Sequence, residues 1–288
     1  MTVSSKAAGG VRGRRAALDS RSVFMGVSAL VLAGFALLAA LAPWLQPHDL
    51  TKFISYVPFQ PADAQAWLGT DVLGRDVLSR LIASARVTLL MGLGAAVLAH
   101  LLGDTLGLLA AVRMGWVDVV LCRVVDVLLS LPKIIVGMVA VAALGASIHV
   151  LVLVTGLVYA ASVFRIARAL GMDLIRQDFV TAARARGEGT LWILFGEIAP
   201  HVVYPLAADF ALRLGFAILF MSSLSFLGLG VQPPMVDWGG MVRENLEGLA
   251  IGSYASLYAA LAIAAVSVAL NLLVDASHER NALTELQK

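Results

Sequence analysis

The sequence predicts an all-α membrane protein with six transmembrane helices. Of its 288 residues, 60% are hydrophobic and only 14% are charged, and the mean hydropathy is +0.88. Ordinary soluble domains carry about 25% charged residues, so the composition excludes that class. Six apolar runs have lengths near the roughly 20 residues that cross the hydrocarbon core of a bilayer. These runs are residues 22–45, 87–112, 117–144, 146–164, 202–224 and 254–274.

The first span follows a small, polar and basic tail. Residues 1–21 hold five basic side chains against one acid, Asp19, which predicts a disordered tail. Residues 22–45 carry no charge, are long enough to span a bilayer and lack a small-residue cleavage site, so we interpret them as a retained span and not as a signal peptide. The transmembrane domain is expected over residues 22–277, followed by a second tail over residues 278–288.

The distribution of Lys and Arg predicts the orientation of the chain. An even number of spans places both termini on one side. Basic residues are concentrated on that side, in the first tail and in the long loop after span four, residues 171–200. Because short cytosolic loops carry an excess of Lys and Arg, both termini and this loop are expected to be cytosolic.

The external segment of residues 46–86 is too long for a simple turn, and its second half has a helical pattern. Its apolar positions are Val77, Leu78, Leu81, Ile82 and Ala85. With Ser79 and Arg80 interleaved, the pattern predicts an external amphipathic helix that lies in the outer interface and runs into span two. Thr70 or Asp71 is expected to cap it. A plain linker helix is an equally open interpretation.

Charged residues inside the spans are the candidates for a solute path. Each costs roughly 2.5–3.5 kcal/mol at a helix centre, so each needs a partner or water. They are Asp104, Asp126, Lys133, Asp209 and Arg213. Asp209 and Arg213, four residues apart, are expected to neutralise each other, and Asp126 to pair with Arg123. Lys133 follows a proline that should kink its helix, which favours a place in the wall of a wet cavity.

The loop of residues 171–200 is charged and prone to form a helix, which suggests a docking element. A helix is expected to begin near Asp178, which can cap it. Ala182 and Ala183 permit close approach by another protein, and Gly187 can take the positive φ that ends a helix. The alternative is a solvated basic turn that follows from the positive-inside rule alone.

The sequence excludes several kinds of chemistry in this chain. It has one cysteine, Cys122, and no spacing of His, Cys and carboxylates typical of a metal site. It has no arrangement typical of a catalytic nucleophile and no GxxxxGK[ST] stretch, so ATP chemistry is expected to belong to another chain. We expect no catalysis, no cofactor and no metal in this chain, and no nucleic-acid partner.

Several stretches in order carry a resemblance to a known family. They are FVTAARARGEGTLWILFGEIAP at 179–200, WLGTDVLGRDVLSR at 67–80, VDVLLSLP at 125–132, SFLGLGVQPPMVDW at 225–238 and NLLVD at 271–275. The first resembles the EAA loop of bacterial ABC importer permeases. Together they resemble the C-type permease subunit of the dipeptide, oligopeptide and nickel importer family, over about residues 30–275. Thr181 and Ala199 depart from the family's usual Glu and Leu, and Met221 stands where relatives often carry Glu.

The resemblance implies a fold, an assembly and a location. The fold is the MetI-like type I ABC importer bundle with a cytosolic coupling helix. The partners are a homologous second permease, two cytosolic ATP-binding subunits that hold ATP and Mg, and an extracytoplasmic solute-binding protein. The location is the bacterial inner membrane. The activity is uptake of peptides by alternating access, driven by ATP hydrolysis in the partner subunits.

The resemblance also implies roles for two sets of residues. Contact with the ATPase falls to Asp178, Thr181, Ala182, Ala183, Arg184, Gly187 and Pro200, and Arg184 and Arg186 are suited to pair with acids on that partner. The family motif and binding-protein contact comprise Gly69, Thr70, Asp71, Gly74, Arg75, Asp76, Gly228, Gly230, Pro233 and Trp238. Residues 227–230 and the two prolines after them cannot continue a helix, so the chain is expected to turn there, at the mouth of the path. Simple packed caps on the bundle are the alternative.

Three other functions remain open from the sequence. The same architecture is compatible with import of nickel, a metal chelate or another small solute. An ion-coupled secondary transporter would use buried charges such as Asp104 and Asp209 as ion sites. A membrane scaffold without transport activity is the third.

Overall fold

A computed structural model describes the chain in full for residues 24–276 and the backbone alone for residues 4–23 and 277–285. The prediction of a disordered tail is contradicted over residues 4–21, whose backbone is helical and belongs to α1, and the backbone of the second tail is helical as far as Glu285; residues 1–3 and 286–288 lie outside the described residues. The helices are α1 (Ser4–Leu45), α2 (Val77–Arg113), α3 (Gly115–Ser130), α4 (Lys133–Leu144), α5 (Ile148–Leu174), α6 (Asp178–Ala185), α7 (Thr190–Trp192), α8 (Ala199–Leu224), α9 (Trp238–Glu244) and α10 (Ala255–Glu285). Two π-helical turns, Ile193–Ile198 and Ser225–Leu229, and a 3₁₀ turn, Leu246–Ile251, complete the order.

Five continuous helical stretches are long and apolar enough to cross a membrane. They are Phe24–Leu45, Val77–Arg113, Ile148–Leu174, Thr190–Leu229 and Ala255–Ala276. The pair α3 and α4 passes the same test together but is bent by 90°. The predicted count of six holds when this bent pair is taken as one broken span.

The bend corrects the prediction of one straight span over residues 117–144. Leu131 has φ −90° and ψ 139°, which is extended backbone, and Pro132 follows it at the start of α4. A proline pushes the preceding residue out of the helical region and cannot donate the next backbone hydrogen bond. The predicted kink at the proline is therefore confirmed, and it is sharp enough to divide the span.

The predicted helix over residues 77–85 is present and runs into the second span, but it is not an amphipathic helix on the surface. Residues 77–85 are the first turns of α2, and the polar side chains of Ser79 and Arg80 are buried there. Arg80 lies inside the protein because Asp71 and Glu244 accept hydrogen bonds from its guanidinium. Ser79 donates to Asp76 and accepts from the His48 N–H. The cap is also corrected: Asp76 accepts from the backbone N–H groups of Leu78 and Ser79, whereas Thr70 and Asp71 lie outside the helix.

Helices α2 and α5 pack in very close contact along much of their length. A Cβ added to Gly107 of α2 would lie 2.6 Å from the backbone oxygen of Phe164, and one added to Gly156 of α5 would lie 2.7 Å from Leu98 Cδ2. Small residues permit this approach, which drives helix association in membranes where the hydrophobic effect between helices is absent. The pair forms the fixed centre around which the other helices are placed.

The opposite ends of α2 define the two ends of the bundle. At roughly 1.5 Å per residue, its 37 residues extend about 55 Å. Its first residue, Val77, packs in a cluster with Trp238 and Met241 of α9. Val112, near its last residue, packs in a different cluster with Val180 of α6. We name these the α9 end and the α6 end.

One face of α3 and α4 is uncovered by the rest of the described chain. Val125 is the buried residue of α3. Large apolar side chains on both helices are exposed: Trp116, Val119, Val120, Val124, Val127, Leu128, Ile135 and Val139. This face is apolar along most of its length.

Candidate functional site

The α6 end presents a short helix with one buried face and one exposed face. Val180 and Ala183 of α6 are both fully buried, against the π-helical turn Ile193–Ile198 and the last turns of α2. Thr181, Ala182 and Arg184 are exposed. The predicted helix is thus confirmed, and the burial fixes which residues another protein can reach.

The boundaries of α6 confirm one prediction and correct another. Gly187 has φ +82°, its N–H donates to the Arg184 carbonyl at 3.0 Å, and the next N–H donates to the Ala183 carbonyl at 3.2 Å. This arrangement satisfies the last carbonyls of the helix. At the other end, Asp178 is the first helical residue and not the cap. Gln177 holds the cap position without a side-chain hydrogen bond.

The two arginines of the α6 segment have partners within the chain. The Nη2 atom of Arg186 donates to Glu197 at 3.2 Å, and Arg184 Nη2 lies 3.5 Å from the Val112 carbonyl. Arg186 is more than half exposed. Both guanidinium groups therefore already have acceptors within the chain. An acid on a partner protein would have to compete with these acceptors.

A π-helical turn connects this end to the next span. The chain passes from α7 through Ile193–Ile198 directly into α8, which contains Pro200 in its first turn. Isolated π turns are rare and are frequent at functional sites. The ring of Phe179 in α6 also stacks on His201 of α8, with centroids 4.8 Å apart. Helix α6 therefore contacts the base of α8 through the π turn and through a ring pair.

A charged network in the membrane interior joins α2 to α8. Arg213 Nη2 lies 2.9 Å from Asp209 Oδ1, which confirms the predicted pair. His100 of α2 lies between two acids, with Nδ1 3.0 Å from Asp104 and Nε2 3.7 Å from Asp209. The network is largely buried, and the bridging position of His100 was not predicted from the sequence. Its i, i+4 spacing to Asp104 was the available signal.

The remaining charges near α3 pair differently from the prediction. Asp126 pairs with Arg165 of α5 at 2.7 Å, and not with Arg123. Arg123 and Asp126 are only three residues apart, but the neighbouring helix offers a better-placed guanidinium. A second pair, Asp118 with Arg168 at 2.5 and 2.6 Å, was not predicted. Both pairs hold α3 against α5.

Lys133 lies in the wall of a cavity of 810 Å³, which confirms that it lines a cavity. Most of the lining is apolar and comes from α4, α5, α8, α9 and α10. Lys133 Nζ donates to Ser162 Oγ at 3.0 Å and lies 4.7 Å from the centre of the Tyr159 ring. The volume falls within the roughly 300–1,000 Å³ range of small-molecule sites. Lys133 also borders a second, apolar cavity of 410 Å³.

The α9 end is held by a buried cluster of charges. Asp71 is fully buried and accepts from Arg75 Nε at 2.7 Å and from Arg80 Nη1. Glu244 of α9 completes the cluster, 2.7 Å from Arg80 and 3.2 Å from Arg75. Asn245, also fully buried, accepts from the Val72 N–H at 3.3 Å. The loop of residues 69–76 is thus tied to α9.

This burial corrects the role assigned to several motif residues. Gly69, Thr70, Asp71, Gly74, Asp76 and Trp238 are buried. Buried residues cannot contact a binding protein directly, and these six instead support the loops that reach the surface. Glu244 was missed because 164 residues separate it from Arg80, and no sequence spacing connects such distant positions.

The predicted turn after α8 is confirmed. Gly228 has φ +92°, and the π-helical turn ends at Leu229, before Pro233. A Cβ at Gly230 would lie 2.2 Å from Ser225 Oγ, so only glycine fits there. The chain then returns into the protein as α9.

The first residues of α9 are anchored inside the protein. The Trp238 N–H donates to Thr88 Oγ1 at 3.1 Å, and its indole N–H donates to the Leu81 carbonyl at 3.2 Å. Asp237 caps α9 by accepting from the Gly239 N–H. Burial raises the pKa of the Asp237 carboxyl above its ordinary value. Gly230 and Trp238 thus serve the packing of this turn.

Within the fully described residues, no group of three or more His, Cys, Asp or Glu side chains is placed to hold a metal ion. The two acids beside His100 share that histidine, and Asp209 also pairs with Arg213. The structure therefore offers two candidate functional sites: the surface helix α6 at one end of the bundle and the largely apolar cavity of 810 Å³ inside it.

Comparison with known proteins identifies the family. The model of the family described as "Binding-protein-dependent transport system inner membrane component" matches residues 103–282. The glutathione transport system permease protein GsiD of Pectobacterium atrosepticum is 35% identical over 243 residues, which cover 83% of this chain and 81% of that one. GsiD of Salmonella typhimurium is 36% identical over 252 residues, covering 86% and 83%.

A relative with a different solute is similar to the same extent. The di/tripeptide transport system permease protein DppC of Pseudomonas aeruginosa is 35% identical over 243 residues, which cover 82% of this chain and 80% of that one. The match to the family model includes α6, the π turn and the lining of the cavity. This chain belongs to the family of binding-protein-dependent transport system inner membrane components, the MetI-like permeases of ABC importers.

Proposed function

We propose that this chain is one of two permease subunits in a bacterial ABC importer that takes up short peptides or glutathione-like compounds. The observation that carries the proposal is the packing of α6, which has a fully buried underside and an exposed face of small residues. The names of the relatives, glutathione and di/tripeptide permeases, support a peptidic solute. ATP and Mg belong to two cytosolic ATPase subunits in this account.

Movement at α6 has a physical route to the cavity. Ala183 lies on the buried face of α6 and packs against the π turn Ile193–Ile198. The π turn continues directly into α8. Phe216 and Phe220 of α8 then line the 810 Å³ cavity. Because packed helices shift as rigid bodies between discrete arrangements, displacement of α6 by an ATPase would tilt α8 and change the shape of the cavity.

The orientation follows from the charges around α6. Arg176, Arg184 and Arg186 surround this end, and all three are exposed. We assign the α6 end and both termini to the cytosol by the positive-inside rule. The α9 end then faces the extracytoplasmic side, where its exposed loops are available to a solute-binding protein.

The uncovered apolar face of α3 and α4 is assigned to the second permease. Contact with lipid alone would also satisfy these side chains. The bend at Pro132 nevertheless turns α4 beside the cavity, so the cavity wall on that side needs a second protein surface to be closed. The homologous permease is the partner that this family of importers offers.

Gly187→Arg tests the docking of α6. A Cβ at Gly187 meets nothing within 4 Å inside the chain, so the arginine causes no clash in the bundle and projects into the docking face, and the control variant carries the same strain of a side chain at positive φ. We expect the assembled importer to lose ATP hydrolysis stimulated by the loaded binding protein. Gly145→Arg is the matched control, since Gly145 also has a positive φ and open surroundings but lies between α4 and α5. Normal stimulation in the Gly187 variant would contradict the proposal.

A further inference from the structure

Lys133 is a membrane-embedded cation without an acidic partner in the fully described part of the chain. No Asp or Glu there has an oxygen within 4.0 Å of its ammonium group, whose neighbours are the Ser162 hydroxyl and the Tyr159 ring. Arg213, another basic residue within a span, is paired with Asp209 at 2.9 Å. An unpaired charge at membrane depth is costly and is retained mainly where it has a function.

The ammonium group is the single charge in the lining of the 810 Å³ cavity. The polar side chains that share the lining are neutral: Tyr159, Ser222 and Ser223. The rest is mainly aromatic and aliphatic: Ile134, Phe216, Leu219, Phe220, Phe226 and Ile263. In apolar surroundings a single charge attracts an opposite charge more strongly than it does in water. The cavity therefore combines one positive point with an extended apolar surface.

The backbone at Lys133 reinforces the positive charge. Helix α4 begins at this residue, and its N-cap position makes no side-chain hydrogen bond. The N-terminus of a helix carries a partial positive charge. The neutral partners of Lys133, a hydroxyl and a ring, can be exchanged for a stronger acceptor at little cost, whereas a carboxylate partner within the chain would hold the ammonium.

We propose that Lys133 receives the carboxylate of the solute as the solute passes through the cavity. The ligand class is a short peptide or related compound with a free carboxylate and an apolar or amphipathic body. The assignment rests on the proposed importer function and adds a selectivity element within the permease itself. The carboxylate replaces Ser162 as the acceptor of the ammonium, while the aromatic lining contacts the remainder of the solute.

The test measures binding to the complete importer without its binding protein. The complex is arrested with a non-hydrolysable ATP analogue, and equilibrium dialysis compares radiolabelled trialanine with trialanine amide, which lacks the carboxylate. Wild type is expected to bind the free acid more tightly than the amide. Lys133→Met and Lys133→Gln should weaken binding of the acid about tenfold, which corresponds to about 1.4 kcal/mol, and leave the amide within twofold.

Two further variants separate charge from packing. Lys133→Arg keeps the charge and should stay within about threefold of wild type. Ser162→Ala removes the hydrogen bond between α4 and α5 but keeps the ammonium, so binding of the acid should be unchanged. Equal affinity of wild type for both probes, unchanged binding in the neutral variants, or a loss in Ser162→Ala that matches theirs would each overturn the assignment.

A parallel assay separates this inference from the proposed function. Proteoliposomes with the wild-type importer, its binding protein and internal ATP are tested for uptake of labelled trialanine and of labelled glutathione. If either probe is taken up in an ATP-dependent way but the affinity for trialanine is the same in wild type and in the neutral Lys133 variants, only the role of the lysine is overturned. Absence of uptake of both probes overturns the peptide importer itself and the inference with it.

Discussion

The two ends of the bundle are built in opposite ways. At the α9 end, Asp71, Arg75, Arg80 and Glu244 form a charge cluster that is mostly buried and ties a loop to a short helix. At the α6 end, the buried contacts are apolar and the charged pairs lie at the surface, with Arg186 more than half exposed. Buried ion clusters fix a single geometry but are costly to disturb, whereas an apolar underside allows a helix to shift as a unit.

This difference suggests a division of labour. In the proposed importer, the α9 end would keep a rigid shape for contact with the solute-binding protein, and the α6 end would move with the ATPase subunit. The contrast can be tested because each end contains an arginine in an ion pair and a glycine with positive φ at a turn.

The largest effect is expected from removing the central arginine of the α9 end. Arg80→Met removes the guanidinium that pairs with both Asp71 and Glu244. Breaking a buried ion pair by removing one partner costs about 3–5 kcal/mol of unfolding free energy. The thermal unfolding midpoint of the purified complex should fall strongly. Arg186→Met, which breaks the exposed pair with Glu197, should cost at most about 1 kcal/mol. An equal fall in unfolding midpoint for Arg80→Met and Arg186→Met would contradict the proposed difference between the two ends.

An intermediate effect is expected at the end of α6. Gly187 has φ +82°, and a side chain in that conformation costs about 1–2 kcal/mol. Gly187→Ala should loosen the end of α6 and increase its proteolysis in the isolated permease. The control is Gly189→Ala, because Gly189 has φ −76° and open surroundings. If both variants are cleaved at the same rate, the turn does not depend on the glycine conformation.

The smallest effect concerns pH at the α9 end. Because burial raises the pKa of Asp237 above its ordinary 3.8, the folded state keeps its proton to higher pH than the unfolded state does. Its contribution to stability is present at low pH and is lost as the pH rises through the raised pKa. Asp237→Asn should therefore flatten the fall in unfolding midpoint between acidic and neutral pH. A slope identical to wild type would show that this carboxyl does not contribute.

The sequence predicted features that depend on local chemistry. The kink before Lys133 follows from a proline, the end of α6 from a glycine, and the Asp209 pair from a spacing of four residues along one helix. The family resemblance added the assembly, and the comparisons confirm the family.

The errors arose where distant segments decide the structure. The pattern at residues 77–85 resembles a surface helix, but Glu244 and Asp71 bury its arginine. Asp126 finds Arg165 on a neighbouring helix and not the arginine on its own helix. Periodicity reports which residues share a face of a helix, but it does not report which segment that face meets.

The central claim is that the exposed face of α6 docks on an ATPase subunit. Adjacent alanines test it directly, since Ala182 is exposed and Ala183 is fully buried. In a Cys122→Ser background, Ala182→Cys and Ala183→Cys are each labelled with a maleimide photocrosslinker in the assembled importer. The account predicts a crosslink to the ATPase from position 182 and little from position 183. Absence of an ATPase crosslink at position 182, with the complex intact, would contradict it.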